Sequence, residues 1–292
     1  MPVLALDVGG TKLAAALVGD DGTLLRTARR PTPAEPWPAC VALLEDVRDG
    51  ADVGGVGAGC GGPMRWPQGV VSPLNMPSWR DFPLRDALSA QYRGVPVRVH
   101  NDAVCVALGE HWRGAGAGSS DLLGVVVSTG VGAGVVLGGQ VLDGPTGGAG
   151  HLGHVVVEPD GPVCGCGGRG CLEAVARGPA VVAWARDRGS TAADGRQLAA
   201  LAAGGDDVAR AALARAGRAL GVAFAGAAAL LDLRLVVLGG GLSQAGQALW
   251  EPLHEAVAVH ARLPFTHDLR VVPAALGQDA GLVGAAALVL SA

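Results

Sequence analysis

The chain has 292 residues, of which 48 are glycine, and this length is sufficient for two domains with ample hydrophobic cores. Its 22 basic and 26 acidic residues give a net charge of -4, and the basic residues form no cluster that would favour a nucleic-acid surface. No run of about 18 apolar residues is free of glycine or charge, which argues against a membrane span. The N-terminus shows no basic leader segment, so we expect a cytoplasmic protein.

The first half of the chain predicts strands arranged around a glycine turn. Residues 3–8 form a short apolar run, residues 9–11 read Gly-Gly-Thr, and two further strands are expected over 13–18 and 23–28. Lys12, directly after the turn, is the only lysine in the chain. Later elements of this half are a strand over 95–99 and helices over 84–92 and 101–112.

The second half repeats this plan. A strand over 123–127 leads into the turn Ser128-Thr129-Gly130, and a return strand follows over 134–137. A third glycine turn, residues 239–241, follows a strand over 234–238 and opens onto a helix. Further helices are expected over 206–231 and 245–261. Duplicated halves with a glycine turn at each strand end indicate two domains with a ligand cleft between them.

The glycine turns are candidate phosphate sites. A backbone without Cβ can approach a phosphate closely and point its N–H groups at it. Asp7 precedes the first turn and could hold Mg²⁺ through water, while Thr11 and Thr129 offer hydroxyl groups. Glycine is abundant in this chain, so a structural role for each turn stays open, and neither a Walker A loop nor a dinucleotide-binding motif occurs.

The run His100-Asn101-Asp102 follows a strand and opens a helix. Asn101 is a good N-cap, and the helix dipole favours an ionised Asp102 in the first turn, so capping explains both residues. The alternative is that Asp102 acts as a general base, which accepts a proton from a sugar hydroxyl during phosphoryl transfer.

The loop over residues 150–173 carries a candidate metal site. His154, Cys164, Cys166 and Cys171 are ligands of the kind that close a tetrahedral zinc shell, and a metal would order a stretch rich in Gly and Pro. Unrelated core cysteines are the alternative, and the remaining three cysteines are expected in the core. His151 and Glu173 lie outside the metal set and could face a substrate.

Taken together, these motifs resemble the ROK family of bacterial sugar kinases and repressors. The resemblance covers essentially the whole chain and rests on the segments 6–12, 101–103, 128–132, 153–173 and 279–285. It implies a two-domain α/β fold of the actin-like, hexokinase-like ATPase class, a duplicated ribonuclease H-like architecture with an interdomain cleft. The small domain would span 1–116 and be completed by a C-terminal helix over about 280–292. The larger domain would span 117–279 and include the zinc loop 150–173.

The resemblance also implies the cofactors and the roles of individual residues. The cofactors are ATP with Mg²⁺ and a structural Zn²⁺, and the partners are a sugar and, as commonly in the family, a second copy of the chain. Asp102 would be the base for the 6-hydroxyl of the sugar. The residues implied for ATP are Asp7, Gly9, Gly10, Thr11, Lys12, Thr129, Gly130, Gly239, Gly240 and Gly241. The residues implied for the sugar are Gly62, Asn75, Asn101, Asp102, His151, His154 and Glu173.

Two departures from the family pattern bear on the sugar. His151 stands where the kinases usually carry Glu, and the His-x-Gly-His form is similar to that of some N-acetylmannosamine kinases. Met64-Arg65 stands where many relatives have an acidic residue. We therefore expect an ATP-dependent hexose 6-kinase acting on glucose or N-acetylmannosamine. A sugar-binding sensor or regulator with weak catalysis is the alternative.

Overall fold

A computed structural model describes residues 1–290 of the chain. Its first sheet has the strand order β3-β2-β1-β4-β7, in which β1 and β2 are antiparallel and β1, β4 and β7 run parallel. The strands of this half are β1 Val3–Val8, β2 Lys12–Val18, β3 Leu24–Pro31, β4 Val56–Cys60, the short pair β5 Met64–Arg65 and β6 Val70–Val71, and β7 Val97–Asn101. The helices are α1 Pro36–Arg48, α2 Leu84–Gln91 and α3 Asp102–Arg113.

The second sheet has the order β10-β9-β8-β11-β12, with β8, β11 and β12 parallel. Its strands are β8 Leu122–Val127, β9 Val131–Leu137, β10 Gln140–Val141, β11 Leu235–Gly239 and β12 Arg270–Pro273. The helices of this part of the chain are α4 Leu172–Ala176, α5 Gly178–Arg186, α6 Gly195–Ala203, α7 Asp207–Leu231 and α8 Gln247–His260, and the last helix is α9 Ala280–Leu290. Short 3₁₀ turns cover Leu152–His154, Gly241–Gln244 and Gly277–Asp279.

The chain divides into two compact units. The first comprises Met1–Ser120, Gly134–Gly150 and the residues from Ala275 onward, and the second comprises Asp121–Ala133 and His151–Ala274. Helix α9 belongs to the first unit, where it packs on α3, β1 and β4. Residues 291 and 292 of the helix predicted over 280–292 lie outside the described residues.

Successive side chains of β1 point to opposite faces of the first sheet, and a separate hydrophobic core covers each face. Leu4 and Leu6 point into the cluster that includes side chains of α1 and α2, whereas Val3 and Ala5 pack with Cys105 of α3 and with side chains of α9. Asp7 is next in the second series. The two-residue period of the strand therefore places the Asp7 carboxylate near the C-terminal end of β1, on the otherwise apolar face that carries Val3 and Ala5.

In the second unit, the long helix α7 packs on α4, α5, α6 and α8. It is the one helix within residues 1–290 that is long and apolar enough to cross a membrane by length and composition. Of its most apolar window, 56% is buried, which is expected when neighbouring helices cover a core helix. Glycines permit the close approach of α8: a Cβ on Gly217 would lie 2.3 Å from the carbonyl oxygen of Leu249.

The predicted α/β fold class is confirmed, because the chain forms two compact units and its two five-stranded sheets are mixed and flanked by helices. The four predicted helices are present as α2, α3, α7 and α8, with ends within two residues of those expected. Two details differ. The strand expected over 95–99 ends instead at Asn101, so His100 and Asn101 belong to β7. The third glycine turn leads into a 3₁₀ turn, and α8 begins only at Gln247.

Candidate active site and metal centre

Three parallel strands of the first unit end side by side. The register pairs Asp7 with Gly59 and Gly59 with His100, so the last residues of β1, β4 and β7 form rows across the sheet. Ligands of open α/β sheets bind beyond the carboxyl ends of such strands. The segments that leave the sheet at this edge carry predicted site residues, namely the turn over 9–11, Gly62 and Asp102.

Asn101 and Asp102 lie where β7 passes directly into α3. The Ala103 N–H donates to Oδ1 of Asn101 at 3.0 Å and to Oδ1 of Asp102 at 2.8 Å, so the predicted N-cap is present. Two glycines face these side chains: a Cβ on Gly61 would lie 3.7 Å from Oδ2 of Asp102, and one on Gly62 would lie 3.8 Å from Nδ2 of Asn101. The missing side chains leave space beside both polar groups.

Asp7 is a second carboxylate in the same region. The pKa of Asp7 is raised to about 6, chiefly by burial and next by the nearby charge of Asp102, while the charges of Lys12 and Arg29 oppose the rise. The start of α9 also packs here, since a Cβ on Gly281 would lie 3.1 Å from Oδ2 of Asp7. Two neighbouring carboxylates with restricted hydration repel each other, and a divalent cation would relieve that repulsion.

The first glycine turn is closed by backbone and side-chain hydrogen bonds. The Gly9 N–H donates to the Lys12 carbonyl at 3.1 Å, and Oγ1 of Thr32 donates to the Gly9 carbonyl at 2.7 Å. A Cβ on Gly10 would lie 1.8 Å from Nδ2 of Asn75, so the amide of Asn75 packs directly on the turn. The structure thus brings Asn75, predicted for the sugar, onto a turn predicted for ATP.

A buried hydrogen-bonded cluster involving His100 was not predicted from the sequence. Nδ1 of His100 accepts the Asn101 N–H at 2.7 Å, so Nε2 must carry the proton that is donated to Oδ1 of Asp143 at 2.8 Å. Burial lowers the pKa of His100 in spite of Asp143, and the Trp66 ring lies 4.5 Å away between centroids. His100 therefore stays neutral and holds Asp143 beside the strand that carries Asn101. The glycine-rich sequence around Asp143 gives no signal of this contact.

In the second unit, the turn after β8 is held at both ends. The Ser128 N–H donates to the Gly130 carbonyl at 2.9 Å, and the Gly178 N–H donates to the Ser128 carbonyl at 2.8 Å. Oε2 of Glu173 accepts the Val131 N–H at 3.0 Å. Thr129 lies between these anchored residues. Glu173, predicted for the sugar, thus contacts a turn that is predicted for ATP.

The third glycine turn lies next to the second one. Gly239 pairs with Val126 of the neighbouring strand, so β8 and β11 end together. Gly240 has φ 91°, and a Cβ there would lie 2.3 Å from the Val127 carbonyl oxygen, so both the conformation and the contact require glycine. Gly241 opens the 3₁₀ turn. The two turns predicted to bind ATP in this unit therefore share one edge of its sheet.

The four predicted metal ligands converge. Nδ1 of His154 lies 3.8 Å from Sγ of Cys164, Sγ of Cys166 lies 3.8 Å from Sγ of Cys171, and all four ligand atoms lie within 4.8 Å of one another. A tetrahedron with Zn–S bonds of about 2.3 Å has edges of about 3.8 Å. None of the three cysteines forms a disulfide. The donor set and its spacing therefore fit a tetrahedral zinc ion.

The loop that carries these ligands is fixed to its own unit by ionic and close backbone contacts. The Arg215 guanidinium of α7 donates to both oxygens of Glu158, at 2.9 and 2.5 Å. Gly170 has φ 69°, and a Cβ there would lie 1.6 Å from the Glu158 carbonyl oxygen. His151 precedes the 3₁₀ turn, with its ring centroid 6.3 Å from that of His154.

Comparison with known proteins identifies relatives over the full chain. The sequence model of the ROK family matches residues 3–292. A glucokinase from Thermotoga maritima is 37% identical over 310 residues, covering 99% of this chain and 97% of that protein. An N-acetylmannosamine kinase from Shigella flexneri is 37% identical over 300 residues, covering 99% and 98%. A glucokinase from Streptomyces griseus, solved with glucose and AMPPNP, is similar in structure with a TM-score of 0.84 at 33% identity, covering 100% of each chain.

Proposed function

The chain belongs to the ROK family, and from this premise we propose that it is an ATP-dependent sugar kinase that phosphorylates the 6-hydroxyl of a hexose. The relatives that carry this function are kinases of two sugars, and each of them matches nearly the whole chain. The single observation that carries the chemistry is the position of Asp102. Its carboxylate lies at the joint carboxyl edge of three parallel strands, beside two glycines that leave space for a substrate.

Asp102 acts as the general base in this proposal. Its carboxylate accepts the proton of the sugar hydroxyl as the hydroxyl oxygen attacks the γ-phosphorus of ATP, and the bond from that phosphorus to the bridging oxygen breaks to release ADP. Phosphoryl transfer needs little covalent help from a protein, so positioning and charge stabilisation supply most of the catalysis. Gly62, Asn75 and Asn101 lie in the same unit as Asp102 and hold the sugar. The resemblance to the family assigns His151, His154 and Glu173 to the sugar as well.

The glycine turns hold the nucleotide. Gly10 and Thr11 offer backbone N–H groups and Lys12 an ammonium to the phosphates, while the Gly9 N–H closes the turn on the Lys12 carbonyl. Thr129 and Gly130 offer backbone N–H groups to the phosphates. The residues 239–241 contact the adenosine. Asp7 is the carboxylate that would hold Mg²⁺, because repulsion from Asp102 favours a cation there. The ion would supply positive charge against the phosphates.

Zinc is structural in this proposal. His154, Cys164, Cys166 and Cys171 hold it, and its role is to order the loop on which His151 and Glu173 lie. Because Nδ1 of His154 faces Cys164, only the opposite side of that ring is available to contact the sugar. We also propose a cytoplasmic homodimer, in keeping with the resemblance to the family.

Glucose and N-acetylmannosamine are the two candidate sugars. The relatives that phosphorylate them, by their names, are equally similar to this chain at 37% identity. The sequence His151-Leu152-Gly153-His154 favours the amino sugar, since it is similar to the motif of some N-acetylmannosamine kinases. Coupled assay of ADP release with a panel of hexoses and N-acetylhexosamines identifies the substrate.

Replacement of Asp102 by Asn tests the proposed base. The Asn oxygen can still accept the Ala103 N–H, so α3 keeps its start, but the amide cannot accept the hydroxyl proton. We expect Asp102→Asn to lower kcat by about 10²- to 10⁴-fold while the sugar Kd, measured calorimetrically, changes by less than about threefold. A kcat within about tenfold of the parent would refute the base and leave Asp102 as a helix-capping residue.

The same measurements distinguish a kinase from a sugar-binding sensor. A sensor binds one sugar of the panel, but that sugar does not raise the rate of ADP release. In a sensor, Asp102→Asn then alters neither the rate of ADP release nor the sugar Kd. A kinase couples ADP release to the sugar and loses that coupling in the variant.

A further inference from the structure

Glu173 makes a contact that sugar binding does not explain. Its Oε2 accepts the backbone N–H of Val131 at 3.0 Å, and Val131 is the residue directly after the glycine turn of the second unit. We propose that Glu173 is a positioning residue for the nucleotide: it holds the turn over 128–131 in the shape that binds the phosphates of ATP. This inference rests on the proposed function, which assigns Thr129 and Gly130 to those phosphates.

The turn is shaped to receive this carboxylate. A Cβ on Gly130 would lie 2.9 Å from Oε2 of Glu173, so any larger residue there would require this oxygen to move from its position against the turn. On the other side of the same strand end, a Cβ on Gly153 would lie 2.3 Å from the Val131 carbonyl oxygen. The segment that contains Gly153 and Glu173 therefore packs against Val131 at both its N–H and its carbonyl group.

The other end of the turn is held by the same part of the chain. The Gly178 N–H, at the start of α5, donates to the Ser128 carbonyl at 2.8 Å. Ser128 and Val131 are thus both fixed by residues between 153 and 178, and Thr129 and Gly130 lie between these anchors. A negative charge next to a phosphate is unfavourable for direct binding, so the hydrogen bond of Glu173 acts through the backbone of the turn.

The position of Glu173 depends in turn on the metal loop. Glu173 is in the first turn of α4, two residues beyond Cys171, which is both the N-cap of that helix and a candidate ligand. The Leu172 N–H donates to the Val155 carbonyl at 2.8 Å, which ties the start of α4 to the residue after His154. Order in the metal loop is therefore transmitted to the nucleotide turn through Glu173.

Two substitutions of Glu173 test the proposal by binding measurements without turnover. The Kd of a nonhydrolysable ATP analogue with Mg²⁺ is measured by calorimetry in the absence of sugar. We expect Glu173→Ala to raise this Kd by about tenfold, because the Val131 N–H loses its acceptor. Glu173→Gln retains an acceptor oxygen and should restore the nucleotide Kd to within about threefold of the parent.

The sugar Kd, measured without nucleotide, separates this role from sugar binding. If Glu173 contacts only the sugar, Glu173→Ala weakens the sugar and leaves the sugar-free nucleotide Kd unchanged, which overturns the proposal. A failure of Glu173→Gln to restore nucleotide binding in a folded, metal-loaded protein also overturns it. If the parent itself binds no nucleotide, the proposed kinase function fails before this inference is tested.

A double-mutant cycle with Gly130 provides a check that does not depend on the stability of one variant. Gly130→Ala places a Cβ against Oε2 of Glu173, so in the parent background we expect it to raise the nucleotide Kd by about tenfold. In the Glu173→Ala background the clash is absent, and the same change should raise the Kd by less than about threefold. Equal effects in the two backgrounds would mean that Gly130 acts independently of Glu173 and would contradict the proposal.

Discussion

Asp7 illustrates how a residue can lower stability at a functional site. Its carboxyl has a pKa of about 6 in the folded chain against 3.8 for the ordinary group, chiefly because burial disfavours the ionised form. Between these two values the folded state holds more protons than the unfolded state, so the free energy of unfolding falls as the pH rises through this window. Above about pH 6 the loss is complete, and it corresponds to about 3 kcal/mol.

Asp7→Asn should therefore stabilise the protein in a pH-dependent way. In the absence of Mg²⁺ and nucleotide, we expect the free energy of unfolding to increase by about 3 kcal/mol at pH 7.5 and by about half of that at pH 5. Chemical denaturation at the two pH values measures the gain. The same variant should lose activity if Asp7 serves the cation, and a stability gain that does not vary with pH would show that ionisation of Asp7 is not its source.

His151 is the residue at which sugar preference is predicted to change. A neutral imidazole offers one acceptor nitrogen, whereas a carboxylate offers two oxygens to neighbouring sugar hydroxyls. We expect His151→Glu to shift the ratio of kcat/KM toward glucose relative to N-acetylmannosamine by about 1 to 2 kcal/mol. His151→Gln, which adds no charge, is the control and should give a smaller shift. If neither variant moves the ratio, His151 has a packing role only.

Local spacing made some site residues predictable and left others hidden. The three cysteines and His154 lie within one short loop, so their convergence could be inferred from sequence. The packing of Asn75 on Gly10 and the hydrogen bond from Val131 to Glu173 join segments far apart in the chain, and no local pattern encodes them. These contacts follow only from the tertiary fold, which brings the loop of Asn75 and helix α4 against the two turns.

Among elements, the metal loop has the clearest experimental consequence. We expect one zinc per chain by elemental analysis, and Cys166→Ser or strong chelation should remove it. Both sugar and nucleotide affinity should then fall by about tenfold or more, because His151 and Glu173 depend on the same loop. Cys40→Ala alters a buried core cysteine and should leave the zinc content unchanged. A metal-free preparation with a stoichiometric disulfide among the loop cysteines would contradict the assignment.

Helix α1 and strand β4 were not predicted, because their sequences lack the usual local signals of a helix start and of a strand. Helix α1 begins with Pro36-Trp37-Pro38 and its N-cap, Glu35, makes no side-chain capping bond, so its start resembles a loop. Strand β4 reads Val-Gly-Ala-Gly-Cys, a composition with low strand propensity, and it is a strand because β1 and β7 pair with it on both edges. Tertiary pairing overrides local preference in such a segment.

At the scale of the whole molecule, the stability of the first unit depends on close packing of α3 and α9. A Cβ on Gly284 would lie 1.6 Å from the Cys105 carbonyl oxygen, and one on Gly109 would lie 2.3 Å from that of Ala280. A Cβ on Gly57 of β4 would lie 1.8 Å from the Ala285 carbonyl oxygen. Glycines on three elements thus allow backbone contact around one helix.

Gly284→Ala should therefore destabilise the protein by about 3 kcal/mol or more, since backbone atoms must move to admit the methyl group. Gly226→Ala is the matched control: it is also a helical glycine, but nothing lies within 4 Å of its Cβ position. That change should stabilise by about 0.5 to 1 kcal/mol. Denaturant unfolding of both variants measures the difference, and equal effects would refute the packing argument.

The place of α9 in the chain has a consequence for biosynthesis. The strands that it contacts, β1, β2, β4 and β7, are complete once the ribosome has passed Asn101, but α9 begins only at Ala280. At about 5 to 20 residues per second, the nascent first unit waits on the order of ten seconds or more for this helix. During that interval the apolar face of Val3, Ala5, Ala14 and Ala16 lacks its cover, and it is there that a chaperone would protect the growing chain from aggregation.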